Sequence, residues 1–178
     1  MEELNRKSVE EFKAASKIPV IVVLENIRSM HNVGSVFRTS DAFLIEAIYI
    51  TGYTAQPPRK EIDKTALGAT ESVSWKYFET TAQAITDLHN EAFKVYAIEQ
   101  AEKSISLEKV QDMALNKMAF IFGNEVTGVE SSTILECDGC IEIPQFGMKH
   151  SLNISVAAGI VLWEVARKFV ERFNYDNV

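Results

Sequence analysis

Apolar residues along the chain fall into six short runs, separated by segments with a helical alternation of apolar and polar residues. Runs rich in Val, Ile and Phe, such as "PVIVVLE", are typical of strands buried on both faces of a parallel sheet. The pattern predicts strands over 19–25, 47–51, 72–78, 94–99, 117–122 and 140–143. It predicts helices over 34–43, 60–67, 80–93 and 129–136, and a long terminal helix that begins near Leu152. Because strands and helices alternate, we expect an α/β fold with a mostly parallel sheet and helices on both faces.

The size of the chain indicates one main domain. It has 178 residues, of which 47% are hydrophobic, and this suits a single globular domain with a substantial core. We assign residues 19–178 to that domain and residues 1–18 to a short helical extension. No apolar run reaches the roughly 18 residues that span a bilayer, and the charged N-terminus is unlike a secretory signal. These features predict a cytoplasmic protein with no membrane partner.

The charge of the chain is unevenly distributed. The formal net charge is −7, which argues against a protein that binds polyanions through bulk charge. The acidic excess lies after residue 64, because residues 1–64 contain nine Lys or Arg and nine Asp or Glu. A local basic surface on the N-terminal third is therefore compatible with the sequence, and a nucleic-acid substrate is not excluded.

The two cysteines, Cys137 and Cys140, form one C-x-x-C pair. A zinc site would need a second pair or nearby histidine ligands, and a redox motif should open a helix after a strand. Here Cys140 leads into the apolar segment "CIEI". We therefore interpret both residues as ordinary half-buried cysteines, with a metal or redox role as the less favoured alternative.

Hydrogen-bonding residues follow three of the predicted strands, where ligands of parallel α/β sheets bind. After the first strand, Asn32, Arg38 and Thr39 form a combination that suits an anionic or ribose-phosphate ligand at one helix end. The alternative is that Arg38 is a solvated helix residue. After the strand at 117–122, "GNEVTG" has Glu125 between two glycines that allow tight or left-handed backbone close to a ligand. The alternative role of Glu125 is to cap the next helix.

The densest group of polar residues follows the last predicted strand, in "IPQFGMKHSLNISVAAGI". Helix capping explains one residue, either Ser151 or Asn153. It does not explain why several hydrogen-bonding side chains lie together between two apolar elements: Gln145, Lys149, His150, Ser151 and Asn153. The sequence lacks a P-loop, a G-x-G-x-x-G after the first strand, a G-x-S-x-G elbow and an H-E-x-x-H zinc motif.

Together these segments resemble the motifs of the SpoU/TrmH-like branch of the SPOUT RNA methyltransferases. "NVGSVFRT" (32–39) is similar to the first motif, N-x-G-x-x-x-R-T. "FGNEVTG" (122–128) is similar to the second, F-G-x-E-x-x-G, and "IPQFGMKHSLNISVA" (143–157) to the third, I-P-x-x-G-x-x-x-S-L-N-x-S-x-A. Order and spacing agree, and the resemblance covers nearly the whole chain from about residue 19. We call these the three motif segments.

The resemblance implies a fold, an activity and an assembly. Members of this family form a parallel α/β sheet whose C-terminal part is threaded into a deep trefoil knot. They bind S-adenosylmethionine in the knot loops, require no metal, and methylate a ribose 2′-hydroxyl in tRNA or rRNA. They are homodimers that pack partly through the terminal helix. On that helix, an apolar stripe would supply the dimer contact here: Leu152, Val156, Ile160, Trp163 and Val170.

The resemblance also implies which residues form the site. Ser151 and Asn153 would lie close to the adenosine end of the cofactor, which backbone groups would contact at Ile98, Gly123, Ile143 and Leu152. Arg38 would hold an RNA phosphate and stabilise the developing alkoxide, because a protonated guanidinium is a poor general base. The ribose would be positioned, and the loops ordered, by Asn32, Glu125, Ser151 and Asn153. Arg38 and the cofactor loops would belong either to one protomer or to different protomers of the dimer.

The RNA substrate stays open. Relatives that act on whole tRNA often carry basic terminal segments, whereas residues 2–17 contain four Lys or Arg and four Asp or Glu. The first candidate substrate is a tRNA ribose, for example that of a D-loop guanosine, and the second is rRNA. Two other functions are compatible with the sequence: a catalytically silent RNA-binding dimer, and an α/β metabolic enzyme with a nucleotide ligand.

Overall fold

One sheet of seven parallel strands forms the centre of the computed structural model, which describes residues 7–113, 117–148 and 151–169. The strands are β1 (Ile18–Glu25), β2 (Ile45–Thr51), β3 (Ser74–Phe78), β4 (Lys94–Ile98), β5 (Ile105–Ser106), β6 (Met118–Phe122) and β7 (Gly139–Glu142). Their order across the sheet is β3-β2-β1-β6-β4-β7-β5, and each neighbouring pair is parallel. The predicted α/β class with a parallel sheet is confirmed.

Helices connect these strands. They are α1 (Val9–Ala14), α2 (Met30–Ala42), α3 (Lys60–Ala66), α4 (Ala69–Ser72), α5 (Thr81–Asn90), α6 (Ser131–Glu136) and α7 (Ile154–Ala166), with a 3-10 helix over Leu107–Asp112. The six predicted strands are present. The strand predicted from residue 72 begins at Ser74, because α4 ends at Ser72. The sequence pattern did not predict β5, whose two residues are too few to show a period.

The core lies on both faces of the sheet, because successive side chains of a strand point to opposite faces. On one face, Val22 and Leu24 of β1 pack in a cluster that also contains buried residues of α2, α3 and α7. On the other face, Ile21 and Val23 pack with buried residues of α5. Ile134 of α6 borders this second cluster. The apolar run of β1 is continuous because both of its faces are covered.

The position of β6 brings two of the motif segments together. β6 pairs with β1 on one side and with β4 on the other. The chain after β1 enters α2 on one face of the sheet, whereas the chain after β6 enters α6 on the other face. Loops that leave neighbouring strands in opposite directions open a crevice at the carboxyl ends of the strands. The first and second motif segments lie at this crevice.

Helices α2 and α3 pack closely because residue 34 is glycine. A Cβ atom at Gly34 would lie 2.1 Å from the Thr65 Oγ1 and 2.2 Å from the Ile62 carbonyl oxygen. Gly34 is a residue of α2 and does not lie in a turn. At the N-terminus, α1 packs Phe12 into the main core. Among the helices of the described residues, none combines the length and the apolar composition that a membrane crossing requires.

Candidate active site

A cleft of about 480 Å³ lies at the carboxyl ends of β4, β6 and β7, and we call it the strand-end cleft. It is formed by the segments after these strands and by the start of α7. Six of the predicted site residues line it: Ile98, Gly123, Glu125, Ile143, Ser151 and Leu152. The other three, Asn32, Arg38 and Asn153, do not line it.

Side-chain hydrogen bonds join the three motif segments beside the strand-end cleft. The Asn32 Nδ2 donates to the Glu125 Oε1 at 3.0 Å, and the Asn153 Nδ2 donates to the Asn32 Oδ1 at 3.2 Å. The Asn153 Oδ1 accepts the Ser155 backbone N–H at 2.9 Å and thereby caps α7. Asn32 and Asn153 therefore hold the loops of the cleft, although neither faces it.

Glu125 holds the two residues that precede α2, whose N-cap is Ser29. Its two carboxylate oxygens accept the backbone N–H groups of Arg28 and Ser29, each at 3.0 Å. Partial burial acts to raise the pKa of the Glu125 carboxyl, but the hydrogen bonds from these N–H groups and from Asn32 outweigh it and lower the pKa. The alternative prediction was that Glu125 caps the helix that follows it, which is α6. Within the described residues, the structure shows no side-chain cap at the start of α6. The Glu125 carboxylate instead bonds the segment before α2, far away in the sequence.

The second motif segment folds tightly on itself. Asn124 and Gly128 exchange two backbone hydrogen bonds of 3.0 and 2.9 Å. A Cβ atom at Gly123 would lie 2.2 Å from the backbone nitrogen of Val129. Gly128 has a left-handed backbone with φ of 71°, whereas the backbone of Gly123 is outside that region. Gly123 is therefore required by a close approach of two backbone segments.

Glu99 is a residue of the cleft to which the sequence analysis gave no role. It follows the last residue of β4, and its Oε2 accepts the Val129 N–H at 3.2 Å. A Cβ atom at Gly128 would lie 2.2 Å from the same oxygen, so glycine at 128 makes room for this carboxylate. Glu99 also lines the strand-end cleft. Its position at the carboxyl end of the strand predicted over 94–99 is the signal that could have identified it.

The composition of the cleft restricts its ligand. Among the described residues, its lining contains the carboxylates Glu99 and Glu125 and no Lys, Arg or His. Lys149 and His150 of the third motif segment lie outside the described residues. A phosphate group would find no cation in this lining, whereas a neutral adenosine or a cationic sulfonium would meet no repulsion. The described lining is thus compatible with S-adenosylmethionine.

Arg38 is exposed in the second half of α2. It follows Asn32 by six residues, which at about 3.6 residues per turn rotates it about 120° around the helix axis. The two side chains therefore do not share one end of the helix. Within the part of the chain that the structure describes, the Arg38 guanidinium makes no hydrogen bond or ion pair, so it is available for a ligand.

The terminal helix α7 has two apolar faces. One face is buried in the core through Ala158, Val161 and Leu162. Three residues of the predicted apolar stripe lie on the other face and are exposed by 38–50%: Val156, Ile160 and Trp163. Leu152, which was also predicted for the stripe, is 40% exposed but precedes the helix, because α7 begins at Ile154 after its N-cap Asn153. Val170, the fifth residue of that stripe, lies outside the described residues. An exposed apolar stripe on a largely buried helix indicates a contact surface.

The two cysteines have an ordinary structural environment. Both thiols are free, and Cys140 is buried. Burial raises the pKa of Cys137 to about 12 and also raises the pKa of Cys140, so neither is a reactive thiolate at neutral pH. No group of three or more His, Cys, Asp or Glu side chains within the described ranges could hold a metal ion.

Comparison with known proteins identifies relatives of this chain. The sequence model of the SpoU rRNA methylase family matches residues 19–163. The tRNA (guanosine(18)-2′-O)-methyltransferase of Thermus thermophilus is 30% identical over 98% of this chain and 88% of its own length. The 23S rRNA (guanosine-2′-O-)-methyltransferase of Haemophilus influenzae is 30% identical over 93% of this chain and 67% of its own length.

Solved structures share the fold. A tRNA-modifying enzyme of A. aeolicus matches 94% of this chain and 85% of its own chain with a TM-score of 0.81 and 24% identity. An AdoMet-bound rRNA methyltransferase of Sinorhizobium meliloti matches 89% of this chain and 60% of its own chain with a TM-score of 0.78 and 24% identity. At these identities, the likeness shows the fold alone.

Proposed function

The chain belongs to the SpoU rRNA methylase family, and we propose that it is an S-adenosylmethionine-dependent RNA methyltransferase that acts on a ribose 2′-hydroxyl. One observation carries this proposal. Hydrogen bonds from Asn32 to Glu125 and from Asn153 to Asn32 join the three motif segments beside a cleft. No Lys, Arg or His occurs among the described residues that line this cleft.

The strand-end cleft would hold the cofactor. Backbone groups at Ile98, Gly123, Ile143 and Leu152 would contact the adenosine, and Ser151, which is exposed at the cleft, would lie close to it. When bound, S-adenosylmethionine supplies an electrophilic methyl group. Glu125, Asn32 and Asn153 keep the surrounding loops in one arrangement, which reduces the reorganisation needed for reaction.

Arg38 would bind the RNA phosphate and stabilise the alkoxide that develops on the ribose. It does not line the cleft of its own chain. We therefore propose that it acts at the cleft of a second copy in a homodimer. The exposed stripe of α7 supports this arrangement, because Leu152, an exposed apolar residue that lines the cleft, lies only two residues before the helix that carries the stripe. Activity would then depend on dimerisation.

Three further features belong to this proposal. The segments around the cleft, from β6 to α7, would form the deep trefoil knot of the family. Residues 19–178 would be the methyltransferase domain, with residues 1–18 as a helical extension. The protein would act in the cytoplasm. The first candidate substrate is tRNA and the second is rRNA, and the two relatives carry these two named activities.

Two measurements test the proposed function. Titration calorimetry with S-adenosylmethionine should show binding to the protein without RNA. Mapping of ribose methylation in tRNA and rRNA from a deletion strain should show one unmethylated position, which the purified protein restores. Cofactor binding without any restored position would favour the catalytically silent RNA-binding dimer. If the protein neither binds the cofactor nor restores a methylated position, the results favour a metabolic enzyme with another ligand.

A further inference from the structure

A second cavity, of about 550 Å³, lies at the carboxyl end of β2, and its described lining contains no residue of the three motif segments. Consecutive residues of one loop, 52–59, line it: Gly52, Tyr53, Thr54, Ala55, Gln56, Pro57, Pro58 and Arg59. We call it the Tyr53 cavity. The Tyr53 side chain is 63% exposed, which is unusual for an aromatic residue within a loop whose neighbouring Thr54 is only 2% exposed.

The loop that forms this cavity is held by the core. The Thr54 Oγ1 accepts the Ile27 N–H at 2.7 Å and donates to the Leu24 carbonyl oxygen at 3.1 Å. The Tyr77 Oη donates to the Gly52 carbonyl oxygen at 3.0 Å. Because these bonds fix both the strand end and the loop, the exposed Tyr53 ring is presented on a supported backbone. A ligand would therefore bind with little loss of loop entropy.

Tyr53 is bonded to one residue of the wall of the strand-end cleft. Its Oη accepts a hydrogen bond from the Asn124 Nδ2 at 2.6 Å, and Asn124 lines the cleft. The Asn124 Oδ1 accepts the N–H groups of Val126 and Thr127, which also line the cleft. A group bound against Tyr53 is therefore a neighbour of the cofactor loop.

The two cavities differ in charge and chemistry. The described lining of the strand-end cleft contains two carboxylates and no cation, whereas the Tyr53 cavity has the guanidinium of Arg59 and no carboxylate in its lining. Lys60 and Arg28 are also exposed, and the Arg28 N–H binds Glu125 beside the cleft. Glu61 and Asp63 are exposed on α3 but do not line the cavity. An exposed aromatic ring with a guanidinium nearby is the chemistry that binds an unstacked base and its phosphate.

We propose that the Tyr53 cavity binds a nucleobase of the substrate RNA, next to the ribose that is methylated, with Tyr53 stacked on the base and Arg59 on a phosphate. The proposal rests on the proposed function, because it assumes an RNA ribose near the cofactor loop. It makes loop 52–59 a determinant of which nucleotide is selected, since Gln56 in the same lining offers both a donor and an acceptor to a base edge.

The test uses four full-length variants: Tyr53→Ala, Tyr53→Phe, Arg59→Ala and Lys13→Ala. Lys13 is an exposed cation of α1, which precedes the amino end of β1, and its variant is the matched control for Arg59. The substrate is total tRNA or rRNA from a deletion strain, with radiolabelled S-adenosylmethionine. Each variant is measured for kcat, KM for RNA, cofactor affinity by calorimetry and melting temperature.

Loss of the ring should act on RNA binding alone. Tyr53→Ala should raise the KM for RNA by about tenfold or more, with cofactor affinity and melting temperature retained. Tyr53→Phe keeps the ring and should retain the KM within about twofold. Arg59→Ala should raise the KM and weaken its dependence on salt, because one phosphate contact is lost. Lys13→Ala should behave as the wild type.

Two outcomes overturn the proposal while the proposed function stands. One is a wild-type KM for RNA in Tyr53→Ala. The other is a parallel loss of cofactor affinity and melting temperature in Tyr53→Ala and Tyr53→Phe, which would assign Tyr53 to support of the cofactor loop. If the wild type transfers no methyl group, the proposed function fails. The nucleobase site is then tested by fluorescence anisotropy with labelled tRNA. Tyr53→Ala should bind this tRNA about tenfold more weakly than the wild type does.

Discussion

The Asn153 Nδ2 donates a hydrogen bond of 3.2 Å to the Oδ1 of Asn32, a residue that lies 121 positions earlier in the chain. The same Asn32 side chain donates to Glu125, so one amide contacts both of the other motif segments. Asn32 thus acts as a structural connector between the start of α2, the segment after β6 and the start of α7. The arrangement explains why the first motif requires an amide, which both donates and accepts.

We expect Asn32 and Asn153 to be energetically coupled. Asn32→Ala removes the bonds to Glu125 and Asn153, and Asn153→Ala removes the bond to Asn32 and the cap of α7. Each should therefore lower the free energy of unfolding by about 1–2 kcal/mol. The double variant should lose less than the sum, because the bond between the two residues is lost only once. Urea unfolding of the four proteins of this cycle measures the coupling. Additive losses would mean that the bond contributes nothing in solution.

The Gly123→Ala substitution should disrupt the cofactor loop. Its Cβ atom would lie 2.2 Å from the backbone of Gly128 and Val129, so the segment must open. We expect a clear fall in melting temperature and a loss of S-adenosylmethionine binding. Gly159→Ala in α7 is the matched control, because apart from its own helix no atom of the described residues lies within 4 Å of a Cβ at that position. Equal behaviour of the two variants would refute the role of the close approach.

Glu125 should make the stability of the protein depend on pH in the acidic range. Its pKa is lowered in the folded state, so the stabilisation is present above the ordinary carboxyl pKa of about 4.3 and is lost as the pH falls through the folded value. Glu125→Gln should therefore be less stable than the wild type at pH 7, and the difference should shrink as the pH falls below about 4. Melting curves of both proteins, recorded from about pH 3 to about pH 7, measure this difference in stability. A constant difference would contradict the assignment.

Arg38 should affect methyl transfer and little else. It is exposed, and within the described residues its side chain has no hydrogen-bonding partner. Arg38→Ala should therefore retain melting temperature and cofactor affinity while single-turnover transfer to RNA falls on the order of a hundredfold. Arg38→Lys should recover little, because an ammonium does not reproduce the planar contact with phosphate. Transfer near the wild-type rate in Arg38→Ala would leave Arg38 as a solvated helix residue.

The exposed stripe of α7 should form the dimer. Ile160→Glu puts a carboxylate in the stripe, and we expect a monomer in light scattering coupled to size-exclusion chromatography, with methyl transfer lost. Leu135→Glu is the control, because Leu135 is an exposed apolar residue of another helix, α6. An Ile160→Glu protein that stays dimeric and active would move the interface elsewhere.

The sequence pattern predicted the strands well where burial on both faces produces a continuous apolar run. The run 19–25 corresponds to β1, Ile18–Glu25, and the run 117–122 to β6, Met118–Phe122. The pattern failed where local periodicity carries no information. β5 has two residues, and the start of β3 was predicted too early because the short helix α4 precedes it.

The site could be predicted only at the level of its motifs. The resemblance identified Glu125, but the partner of its carboxylate is the start of α2, and such a long-range contact leaves no local pattern in the sequence. Glu99 and Tyr53 carry no motif of their own. Their roles follow from the strands that precede them, whose carboxyl ends meet at one edge of the sheet.

The central position of β6 has a consequence for the synthesis of the protein. β6 pairs with β1 and with β4, although the ribosome makes it after both. A nascent chain that has emerged only as far as β4 therefore lacks the strand that joins β4 to β1. At that stage β1 has an open edge, and β4 has no paired neighbour, because its other partner, β7, is also made later. Such edges pair readily with other chains. The newly made protein is thus most vulnerable to aggregation until Met118–Phe122 pairs with both strands, and early chaperone contact would protect it at that stage.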